Sequence, residues 1–97
     1  MQKMDEQAII IQLSSHGKIL SSRVLGRKIF EEAEKHNFEV VFDFSWVDMV
    51  NSSFTDEVFW KIVEKGHNGF KIRNVGNDLI KRLIIIAIEG RRQKRLA

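Results

Sequence analysis

The densest run of chemically capable side chains lies at residues 43–59, DFSWVDMVNSSFTDEVF. It carries the carboxylates of Asp43, Asp48, Asp56 and Glu57 and the hydroxyls of Ser45, Ser52, Ser53 and Thr55. Ser53 followed three residues later by Asp56 fits the capping pattern of a helix N-terminus, and Asp56 and Glu57 both suit the first turn of such a helix. The unpaired N–H groups of that turn face the Asn51-Ser52-Ser53 corner, where an added phosphate would be tolerated. Ser52 and Ser53 therefore admit two readings: a helix cap with its neighbour, or a phosphorylated switch. Asp56 and Glu57 do not make a catalytic pair, because adjacent helical residues do not face each other. His16, His36 and His67 fall in a turn, at a helix end and beside a glycine, none with a second ligand at metal spacing, so surface histidines are expected and no metal site. No Gly-rich phosphate loop and no nucleophile elbow is present, so neither a catalytic residue nor a cofactor is expected.

A strand end, a short apolar link (Val47, Met49, Val50), a polar corner and a helix start must hold this run in place. Residues 39–44, EVVFDF, predict the central strand. Phe54, Val58, Phe59, Ile62 and Val63 share one stripe and predict a helix over about 54–65, capped by Ser53 and stopped by Gly66. Upstream, residues 8–13 predict a buried strand, turned by Ser14-Ser15-His16-Gly17, with residues 18–20 as a second short strand pairing back on it. Ser21 or Ser22 caps a helix over 23–36, with Leu25, Ile29, Phe30 and Ala33 inward, ending near Asn37, which tolerates a left-handed backbone. Residues 70–73 predict a further strand. Asn77 or Asp78 then opens a helix that reaches Glu89 and stops at Gly90. Strands alternating with helices of roughly a dozen residues argue for an α/β fold, a small mostly parallel or mixed sheet of about four strands with about three helices.

Ninety-seven residues fit one domain, taken as 1–90, followed by a basic C-terminal tail at 91–97. The net charge of +3 belongs to residues 89–97, where Arg91, Arg92, Lys94 and Arg95 oppose Glu89. The other 88 residues hold 12 basic and 12 acidic side chains. A neutral body lacks the footprint of a dedicated nucleic-acid module. The tail leaves a nucleic-acid-associated adaptor as one rival reading, and an uncharacterised enzyme as the other. There is no cysteine, hence neither a disulfide framework nor a thiolate metal site. The apolar runs are too short for a signal peptide or a span, so a cytoplasmic location is expected and no membrane partner.

The corner resembles STAS domains, the family of anti-sigma factor antagonists and transporter tails. Their pattern is an aspartate-ending strand, a hydrophobic link, then Asp-Ser-Ser/Thr-Gly opening a helix, and Asp43, Ser45, Val47, Ser52 and Ser53 fall on it in register. The resemblance implies that Ser52 matches the serine phosphorylated by a partner kinase in the antagonists. Asn51 and Phe54 depart from the pattern, standing where the antagonists have aspartate and glycine. The chain resembles more closely a STAS-like family of unknown function, through Ser22-Arg23, Asp43-Phe44 and residues 54–59 from Phe54 to Phe59. That likeness spans roughly residues 18–88, and implies an ion pair from Arg23 to Asp56 or Glu57.

The resemblance further implies a non-enzymatic, regulatory protein–protein module of bacterial signalling type, with a histidine-kinase-like ATPase as candidate partner. Docking is expected at Asn51, Asp56 and Glu57 and on the exposed face of the second helix. Trp46 and Trp60 are either packed beneath loops or exposed anchors of that interface, since tryptophan is enriched in binding hot spots. The partner's identity and the oligomeric state are not legible in these residues.

Overall fold

The central strand is the one buried along most of its length. In the computed structural model, which describes residues 8–90, β3 (Val40–Asp43) lies between β1 (Ile9–Gln12) and β5 (Lys71–Arg73) and runs parallel to both. Phe42 stands opposite Ile11 and Ile72, and Asp43 opposite Gln12 and Arg73. Two further strands, β2 (Ile19–Leu20) and β4 (Met49–Val50), form a separate parallel pair. The fold is thus α/β, as expected, with five short strands in two parallel sheets.

The second strand corrects the sequence reading: residues 18–20 do not pair back on β1. A 3-10 turn at Leu13–His16 and Gly17, at φ 130°, carry the chain away from β1 instead of reversing it. The Lys18 carbonyl then accepts the N–H groups of Asp48 (2.8 Å) and Met49 (3.2 Å), and the apolar link becomes β4.

Helix α1 (Arg23–Glu34) starts where Ser22 Oγ accepts the Leu25 N–H at 3.0 Å. It ends in a left-handed turn at Asn37 and Phe38, with the Phe38 N–H closing on the Ala33 carbonyl at 2.9 Å. Helix α2 covers 52–64 in three continuous pieces: α-helical Ser52–Thr55, π-helical Asp56–Trp60 and α-helical Lys61–Glu64. Helix α3 (Asp78–Ile85) is capped by Asn77, whose Oδ1 accepts the Ile80 N–H, and passes into a π turn at Ile86–Gly90.

The core forms where α1, α2 and α3 close over the sheet. Phe59 is its hub, its ring 5.1 Å from Phe42, 6.2 Å from Phe44 and 5.9 Å from Phe70. Ile11, Leu13, Ile29, Phe54, Val58, Ile62 and Ile80 are fully buried around it. α2 touches both α1 and α3, which explains why Glu57, Val58 and Phe59 are buried in succession on a helix expected to show a single apolar stripe. Among the described residues no helix is long and apolar enough to cross a membrane. The basic tail at 91–97 lies outside the described residues.

Candidate functional site

The polar corner opens with Asn51, which corrects the expected cap: Asn51, not Ser53, caps α2. Asn51 Oδ1 accepts the Phe54 N–H at 3.0 Å, while its Nδ2 donates to the Ser21 carbonyl at 2.9 Å. The side chain therefore ties the start of α2 to the start of α1. An aspartate could accept the first bond but not donate the second, which gives the departure at this position a structural use. Phe54, the other departure, is fully buried in the core. With the cap supplied by Asn51, the Ser52 hydroxyl has no capping duty, and Ser52 is exposed on the first turn. Ser53 is half-buried beside it.

Asp43 closes the carboxyl end of β3. Its Oδ1 accepts the Ser45 N–H (2.9 Å), the Ser45 hydroxyl (2.7 Å) and Asn74 Nδ2 (3.1 Å), and its Oδ2 accepts Arg73 Nε (3.2 Å). Burial alone would push this carboxyl up. The bonds from Ser45, Asn74 and Arg73 outweigh it and hold the group down from 3.8 to about 2. Asp43 thereby fixes the turn that follows, in which the Val47 N–H reaches the Phe44 carbonyl and Trp46 takes a left-handed φ of 69°. Trp46 is 77% exposed, so the reading that tucks its ring beneath a loop does not hold. Phe44 is buried against Phe59.

A second carboxylate is buried on α2. Glu57 accepts a hydrogen bond from Lys61 Nζ at 2.7 Å, one helical turn on, and faces Arg27 Nε at 3.6 Å and Arg23 Nε at 3.9 Å from α1. Arg23 thus meets Glu57, one of the two acids named for it. Gly26 makes this meeting possible: a Cβ there would lie 2.9 Å from Glu57 Cβ and 3.2 Å from the Phe54 carbonyl. Only a residue with no side chain lets the two helices approach so closely. Together with Asp56 and the half-buried Trp60, these residues line a cleft of about 210 Å³.

Of the residues named from sequence, Arg23, Glu57, Asp56 and Trp60 are brought together, and Ser52 and Asn51 lie at the N-terminus of the same helix. Asp43 and Trp46 belong to a separate node at the sheet end. Gly26, Arg27, Lys61, Arg73 and Asn74 were missed. Two of them carried a readable signal: Lys61 stands four residues after Glu57, and Arg27 four after Arg23. Gly26 was legible only as a glycine inside a helical pattern. His67 rests half-buried against Phe38, ring centroids 4.6 Å apart, and no group of three or more His, Asp or Glu among the described residues could hold a metal ion.

A search of curated proteins and of solved structures found no match to the chain. The family model for a STAS-like domain of unknown function matches residues 25–90. That span begins two residues into α1, takes in the Asp43 node, the corner and, apart from Arg23, the Glu57 cluster, and runs to the end of the last helical turn. The chain belongs to this family of STAS-like domains.

Proposed function

We propose that this domain is a non-enzymatic regulatory module of the cytoplasm that binds another protein through the Asn51–Asp56 corner and the outward flank of α2. The exposed Ser52, released from capping by Asn51, is the observation that carries the reading. Ser52, Asp56 and Trp60 recur at four-residue spacing along one side of α2, away from the buried Val58 and Phe59. Trp46 adds an exposed aromatic that the fold does not need for its core, held at a backbone angle unusual for a bulky residue. The resemblance to anti-sigma factor antagonists favours a histidine-kinase-like ATPase as partner. Transfer of the ATP γ-phosphoryl group to Ser52 Oγ, releasing ADP and a proton, would place about −1.5 to −2 charges on the docking face. A partner that buries this corner would then have to bury an uncompensated charge, which is costly.

The test is calorimetric titration of the full chain with a purified histidine-kinase-like ATPase from the same cell. Wild type and Ser52→Ala are expected to bind alike, and Ser52→Asp to bind at least about tenfold more weakly, the effect of one poorly compensated charge. Melting temperature should stay nearly constant across the three, since the helix dipole favours the added charge and Asp56 opposes it. Ser52→Asp binding as tightly as wild type would refute the switch, and no binding by wild type would refute this partner class.

A further inference from the structure

The cluster around Glu57 holds more cations than its carboxylate requires. Glu57 is 7% exposed, and Lys61 already meets it with a hydrogen bond of 2.7 Å. One buried carboxylate is compensated by one well-placed partner. Arg27 and Arg23 stand beyond hydrogen-bond distance at 3.6 and 3.9 Å, with side chains 62% and 69% exposed. They are also four residues apart on α1, the spacing at which like charges repel. Folding therefore gains little from the second and third cation, yet Gly26 draws α1 close enough to bring both onto one rim. Arg23, Arg27 and Lys61 against Asp56 and Glu57 leave a local charge of +1 on a body that is neutral in total. The cleft they border, about 210 Å³, is below the range of drug-sized ligand pockets but roomy for a small ion.

We propose that this cleft is a binding site for a small phosphate-class oxyanion, held by the guanidinium groups of Arg23 and Arg27. The Lys61–Glu57 pair positions the two arginines, and Asp56 sets an upper limit on affinity by repulsion. Two planar forks on one rim match a tetrahedral dianion, whereas a carboxylate is satisfied by a single fork. The site goes beyond the docking surface and does not depend on it, because neither Ser52 nor a protein partner takes part.

The experiment is a titration of the ¹⁵N-labelled full chain with inorganic phosphate at constant ionic strength, with acetate as the matched control. Saturable shifts are expected at the Arg23 and Arg27 Nε–H signals and at the backbone of Asp56–Trp60. Arg23→Gln and Arg27→Gln should each weaken phosphate binding about tenfold, as for loss of one charge-assisted bond, with the remaining spectrum unchanged. Asp56→Asn should tighten binding, since it removes a competing carboxylate while leaving the Lys61–Glu57 pair that positions the arginines in place. Absence of saturable shifts would overturn the proposal. So would equal shifts with acetate, or weaker binding in Asp56→Asn.

Discussion

Two buried carboxylates in this domain meet opposite surroundings. Asp43 receives four hydrogen bonds, from Ser45 twice, Asn74 and Arg73, and faces a single cation. Glu57 receives one, from Lys61, and faces three cations, two of them too distant to bond. At Asp43 every donor is in contact, and the donors come from two parts of the chain, Ser45 and the Arg73-Asn74 pair, so the group acts as a knot joining the end of β5 to the end of β3 and the turn that follows it. At Glu57 the charge is in excess and partly held in reserve at the surface. A saturated node spends its polar groups on the fold. An oversupplied one leaves donors that can turn outward, and the π-helical segment that carries Asp56, Glu57 and Trp60 is of a kind that recurs at functional sites.

The comparison predicts unequal costs. Asp43→Ala strands the donors of Ser45, Asn74 and Arg73 and should destabilise the domain by about 2–3 kcal/mol, measured by urea unfolding. A loss below about 0.5 kcal/mol, the level of an ordinary surface change, would mean that the node does not bind the strand ends. Its pH dependence has a fixed sign. The folded state lowers this carboxyl from 3.8 to about 2, so it favours the ionised form. The contribution is complete above about pH 5 and drains away as pH falls towards 2. Asp43→Asn should therefore be less stable at neutral pH and lose less on acidification over that window.

Gly26→Ala tests the approach of α1 to α2 that builds the Glu57 cluster. Alanine gains up to about 1 kcal/mol in helix propensity. The clash with Glu57 Cβ and the Phe54 carbonyl costs about 1–3 kcal/mol, because the contacts lie in a packed interface. A net loss of about 1 kcal/mol is expected in thermal or urea unfolding, and a gain would show that the helices stand further apart.

The smallest effect belongs to Arg27→Gln. Its guanidinium is mostly exposed and makes no hydrogen bond to Glu57, so stability should change by less than about 0.5 kcal/mol. A loss comparable to that of Asp43→Ala would erase the distinction between the two carboxylates.

What could be read from residue order was local. Ser22 and Asn77 each cap a helix by accepting an N–H from three residues on, and each was legible to within a pair, Ser21 or Ser22 and Asn77 or Asp78, because a cap involves only its own turn. The strand over 39–44 and the glycine and asparagine stops were legible for the same reason. At the central corner the capping pattern of Ser53 with Asp56 pointed to the wrong residue. The choice fell to Asn51, which alone gains a bond to Ser21, thirty residues away.

The sequence by itself determined the α/β alternation, the apolar stripe of α2 and the neutral body with its basic end, since periodicity and charge are properties of neighbouring residues. Only the tertiary structure decided that β2 pairs with β4 across some thirty residues, that Asp43 collects Arg73 and Asn74, and that Gly26 admits Arg23 and Arg27 to Glu57. Parallel pairing and helix–helix approach join residues far apart in the chain. Their energy depends on shapes that exist only once the core around Phe59 has closed.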